Sequence, residues 1–224
     1  MTAFRATNVV LTDNEARVLG SLVEKDITTP DYYPLTLNAL VNACNQKSNR
    51  DPVVTLNDEL VREALYSLNQ KGLAGTASTA DSRVPKYEHR MQEGFNFTRP
   101  ETAVMCVLML RGPQTPGELR GRSERMHRFE DLTDVQSTLQ KLMTREEPLV
   151  KMLSRQPGTK EARYAHLLCG VKPEWDSPPP PVEVRAGDTS DNARMGRLEE
   201  TVEALKQDVA ELKQELAGFR KQFE

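Results

Sequence analysis

Four arginines and a histidine fall within nine residues at Arg120, Arg122, Arg125, His127 and Arg128, the most basic run of the chain. Guanidinium groups at that density bind phosphate or carboxylate through paired N–H donors. The same run is interleaved with Glu118, Glu124 and Glu130, so local ion pairing at a helix end is the competing use of these residues. A second group, Arg155, Lys160 and Arg163, brackets Pro157-Gly158, the dipeptide of a tight turn. Lys47 and Arg50 stand in a polar turn that begins at Asn45. These nine cations are the candidate contacts for nucleic acid or for an acidic partner.

Other reactive side chains lack the spacing that catalysis needs. His89, His127 and His166 are dispersed and form no His-Glu-x-x-His or other ligand pattern. There is no glycine-rich phosphate loop and no serine in a nucleophile elbow. Cys44, Cys106 and Cys169 are odd in number, far apart and flanked by apolar or small residues. They read as buried free thiols, not as a disulfide framework or a zinc site. The sequence thus predicts no enzyme, no cofactor and no metal. Free thiols, together with the lack of an apolar leader or a membrane-length segment, predict a cytoplasmic protein without membrane contact.

The formal net charge is -3 and is unevenly placed. Residues 1–99 carry 11 basic and 12 acidic side chains, residues 100–172 carry 12 and 9, and residues 173–224 carry 7 and 12. Affinity for phosphate depends on cations. A nucleic-acid role therefore falls mainly to the middle segment.

Two successive runs of three helices and a hairpin must position these groups. In the first, Thr12 and Glu15 form a capping box, and Ala16, Leu19, Leu22 and Val23 line a helix that ends near Lys25. Pro30 and Pro34 bar a regular helix from the next segment. A second helix runs from about Leu35 to Gln46 with Thr36 as cap and Leu37, Leu40 and Val41 inward. A third starts near Thr55 or Leu56, with Leu60 or Val61, Ala64, Leu65 and Leu68 inward, and Gly72 takes the C-cap place. Its outer positions, Asn57, Asp58, Glu59, Arg62, Glu63, Tyr66 and Asn69, include three carboxylates and one cation. Leu73–Thr76 and Val84–Glu88 form the hairpin.

In the second run, Pro100 opens a helix that is apolar on nearly every face from Ala103 to Leu110, which predicts a central position. Gly112-Pro113 stops it, Thr115 caps the next helix and Pro116 is its first residue. A third helix spans Leu132 to Met143. Val135, Leu139 and Leu142 point inward, and Asp134, Gln136, Ser137, Gln140 and Lys141 point outward. Strands start at Pro148 and Arg163. The expected fold class is mainly α with small β wings: tandem winged-helix domains at 10–98 and 99–172. In such domains the third helix enters the major groove.

A proline-rich linker over 173–191 follows, with Trp175 near its start and prolines from Pro178 to Pro181. A coiled-coil helix is expected over 192–224. Val202 and Val209 at a with Leu205 and Leu212 at d favour a parallel homodimer through residues 195–223, the alternative being an amphipathic helix folded back on its own body.

The segments Thr28–Pro34, Leu37–Leu40, Cys44–Arg50 with Pro52-Val53, and Gly112–Arg120 carry a family likeness. Arg155–Gly158, Arg163-Tyr164 and His166-Leu167 reinforce it. The chain resembles the YceH family, also called UPF0502 or DUF480, over nearly all of residues 10–170. That resemblance implies tandem winged-helix domains and no established reaction, ligand or catalytic residue. Two functions are expected. One is a dimeric, transcription-regulatory protein on double-stranded DNA. The alternative is a protein-interaction adaptor that uses the winged-helix surfaces and the coiled coil without DNA; the acidic third helix of the first run motivates it.

Overall fold

The computed structural model describes residues 9–77, 84–155 and 161–175. It is mainly helical, with two small antiparallel sheets. Helix α1 (Asp13–Thr28) opens on the expected capping box: the Glu15 amide donates to Thr12 Oγ1 at 3.2 Å, and the Thr12 amide donates to the Glu15 carboxylate at 2.7 Å. It runs past Lys25 to Thr28, and Ile27 in this extra turn packs against the core. A single 3-10 turn, Pro30–Tyr32, then carries the proline segment.

The chain next extends as β1 (Leu35–Thr36) before entering α2 (Leu37–Cys44), with Thr36 as its cap. The second helix therefore starts two residues later than its sequence suggests, because Leu35 and Thr36 pair with β3 (Lys86–His89). Helix α3 (Asp58–Gln70) begins behind Asn57, whose side chain accepts the Leu60 amide at 2.9 Å. Gly72, at φ 67°, then turns the chain into β2 (Ala74–Thr76). The first sheet has the order β1-β3-β2 and is antiparallel throughout. A short helix that the sequence did not announce, α4 (Met91–Phe95), stacks Phe95 on Phe97 with centroids 5.1 Å apart.

The second run repeats this connectivity. Helix α5 (Arg99–Arg111) starts behind a Thr98–Glu101 capping box, α6 (Pro116–Ser123) behind Thr115, and α7 (Leu132–Met143) behind Asp131. A hairpin of β4 (Val150–Met152) and β5 (Tyr164–His166) follows. Gln114, just before α6, exchanges both backbone hydrogen bonds with Tyr164, at 3.0 and 2.8 Å. This is the place that β1 holds before α2, beside β3, in the first run.

The apolar faces meet in one core that draws on both runs. Every residue of α5 from Ala103 to Leu110 is buried, as its unbroken apolar sequence predicts. It packs against α1 so closely that a Cβ on Gly20 would lie 3.0 Å from Leu110 and 3.3 Å from Met109. The Cys106 thiol lies 3.4 Å from the Gly20 carbonyl, and the Leu11 amide donates to Leu168 O at 2.7 Å. The described residues fall within one compact unit. Cys44 and Cys106 are buried, Cys169 is partly buried, and all are free thiols. Trp175 closes a 3-10 turn, Pro173–Trp175, and is half-buried. Pro178–Pro181 and the heptads over 195–223 lie outside the described residues. Among the described residues no helix is long and apolar enough to cross a membrane.

Candidate nucleic-acid interface

The third helix of each run has the sidedness that its spacing predicts. On α7, Val135, Leu139 and Leu142 are fully buried, while Gln136, Ser137, Gln140 and Lys141 are exposed and Asp134 is half-buried. On α3, Val61, Ala64, Leu65 and Leu68 are buried. Asp58, Glu59, Arg62, Glu63, Tyr66 and Asn69 are all exposed. The outer face of α7 is thus amide- and hydroxyl-rich, and that of α3 carries three carboxylates.

The predicted cations divide by what already holds them. Arg120 is exposed, but its Nη2 donates to Glu130 O at 2.6 Å, tying the end of α6 to the approach to α7. Arg122 donates to Gln114 and lies 3.5 Å from the Glu118 carboxylate. Arg163 reaches the same carboxylate at 3.0 Å and the Pro113 carbonyl at 2.8 Å. Glu118 therefore bridges α6 to the hairpin. Burial would raise its carboxyl, but the Thr115 amide and the two arginines hold it below the usual range. Of the ion pairing foreseen for the basic run, that of Arg122 with Glu118 is formed; Arg163, outside the run, shares the same carboxylate.

Lys47, Arg125, Arg128 and Arg155 are exposed and make no ion pair among the described residues. Lys160 lies outside the described residues. His127 packs edge-on against Phe129 with centroids 4.6 Å apart, which places it beside the core and not in a reactive cluster.

Arg50 departs from the expectation of a surface contact. Its side chain is fully buried and clamps the Glu24 carboxylate with Nη1 at 3.1 Å and Nη2 at 2.6 Å. Its Nε and Nη2 also donate to the Ala43 carbonyl, at 3.1 and 2.9 Å. Arg50 thus closes the turn after α2 onto α1 and leaves nothing for an external phosphate. Two further arginines went unnoticed in the sequence. Arg145 lies 4.8 Å over the Phe97 ring and bonds Phe95 O and Glu101, so it fastens α7 to α5. Arg111 ends α5 and donates to Asn49 of the first run. The available signal was an arginine closing an otherwise apolar helix.

Among the described residues no group of three or more His, Cys, Asp or Glu side chains is placed to hold a metal ion.

Residues 11–159 match the family described as "Protein of unknown function, DUF480". A UPF0502 protein of Koribacter versatilis is 55% identical over 198 residues, covering 88% of this chain and 91% of the relative. The chain belongs to the UPF0502 (DUF480) family. Another UPF0502 protein, from Pelobacter propionicus, is 50% identical over 222 residues, covering 96% of this chain and 99% of its own. A UPF0502 protein of Geobacter metallireducens is 54% identical over 218 residues, with the same coverage of 96% and 99%. These UPF0502 descriptions name no reaction and no ligand.

Proposed function

We propose that the chain is a DNA-binding protein of regulatory type, built from tandem winged-helix domains, that engages duplex DNA chiefly through its second domain. The observation that carries this reading is the repeated connectivity: a short extended segment, two helices and a hairpin whose far strand returns to that segment. Such a frame presents its third helix to the major groove.

In the second run that helix is α7. Gln136 and Gln140 lie one turn apart on its exposed face. Paired amide donors and acceptors suit the N6/N7 edge of adenine. Arg125 and Arg128 before α7, and Arg155 beyond β4, supply cations for the flanking phosphates. On α3 the exposed Asp58, Glu59 and Glu63 oppose phosphate. The adaptor reading draws on that acidic face, where Tyr66 is 70% exposed; saturable protein binding that Tyr66→Ala abolishes, without DNA binding, would favour it.

In this reading the protein works in the cytoplasm, carries out no reaction and pairs as a homodimer through residues 195–223. Fluorescence anisotropy on random-sequence duplex DNA tests the central point. Binding at low salt that weakens in Arg128→Ala and Arg155→Ala is expected; equal affinity for these variants and the unaltered chain would count against it.

A further inference from the structure

A cleft of about 320 Å³ lies between the two runs, at the C-terminal ends of α1 and α5 and against α6. Its apolar lining is Val107, Leu110 and Met126, all buried. Three arginines line it as well: Arg111 from the end of α5, Arg122 from α6 and Arg125 from the turn beyond. The charges facing them are mostly committed. Glu24 is held by Arg50 at 2.6 Å and by Lys25 at 3.4 Å, and Glu118, beside Arg122, is shared with Arg163. Glu124 is the other lining carboxylate and is exposed.

We infer that this cleft binds a small ligand bearing an oxyanion, a phosphate or a carboxylate, through Arg111, Arg122 and Arg125. The Arg111 guanidinium has only the neutral Asn49 side chain as its hydrogen-bond partner among the described residues. Arg125 makes no ion pair among them. A guanidinium carries five N–H donors, so these groups keep donors to spare. Burial and the charge of Arg122 both act to lower the proton affinity of Arg111. An anion held between the two guanidiniums relieves that repulsion and adds charge-assisted hydrogen bonds. The cleft volume falls at the small end of ligand sites and suits a compact molecule with an apolar body against Val107 and Leu110. Because Thr28 and Asn49 come from the first run and the arginines from the second, the ligand would bridge the two.

The test uses the full chain without DNA, so its outcome is separate from that of the DNA reading. Calorimetric titrations with pyrophosphate and with citrate, each at matched ionic strength against chloride, distinguish phosphate from carboxylate recognition. Saturable binding of at least one is expected, together with a rise in melting temperature. Arg125→Gln, an exposed position that serves no packing, should weaken it at least about tenfold, and Arg111→Gln should do the same. Arg62→Gln, on α3 and outside the cleft, should leave it unchanged. No saturation with either anion, or equal losses in Arg125→Gln and Arg62→Gln, would overturn the inference.

Discussion

Arg50 shows why a cation read from a polar turn can turn out to be structural. Its partner Glu24 is 26 residues away, and no local pattern joins them. Burial would raise the Glu24 carboxyl, but the guanidinium more than offsets this and holds it low. Its contribution to stability is therefore complete above the ordinary carboxylate range and is lost as pH falls through the depressed value. His166 works over a different window. It is buried on β5, its Nδ1 has no hydrogen-bond partner, and burial, then the nearby Lys172, lower its pKa from 6.5 to about 4. Between those values the unfolded chain takes up a proton that the folded one refuses, so stability falls as pH drops from 6.5 towards 4. The loss reaches at most about 3 kcal/mol. Urea unfolding of the unaltered chain and of His166→Leu, compared at about pH 7 and about pH 5, should show a smaller pH effect in the variant; an equal effect would remove His166 from the account.

Element boundaries were legible where packing follows a local period. Helix α7 lies where the spacing of Val135, Leu139 and Leu142 puts it, and the Thr12 and Thr115 caps act as their sequences imply. β1 was not legible, because two residues carry no alternation and their pairing with β3 is set 50 residues downstream. α4 escaped notice for the same reason of length: its one turn offers no repeat to detect. The candidate cations could be named from the sequence, but which of them are already engaged, as Arg50 and Arg163 are, depends on carboxylates and carbonyls that only folding brings near. The contact between α1 and α5 is likewise a product of folding; at Gly20 an added Cβ would lie 3.0 Å from Leu110 and 3.3 Å from Met109, so these neighbours would have to give way. Gly20→Val should lower stability by about 2–3 kcal/mol through overpacking, measured as the urea midpoint. A neutral result would mean that the helices separate freely at this point.

At the scale of residues 9–175, the shared core makes the two runs one structural body whose surfaces differ in charge. The first run presents carboxylates on α3, and the second presents amides on α7 with exposed arginines beside it. The heptads over 195–223 add the expectation of a dimer. A chain ending at residue 190 should elute and sediment as a monomer while the full chain is a dimer; unchanged mass on truncation would refute that role for the tail. Whether the proposed binding of duplex DNA runs through the cations of the second run is decided by a salt series on random-sequence duplex. Each phosphate contact contributes roughly 0.9 to the slope of log affinity against log salt. Clear binding at low salt with a steep negative slope is expected, made shallower by about two when Arg128 and Arg155 are both replaced by alanine. No binding at low salt by the folded chain, or an unaltered slope in that double variant, would contradict the proposal.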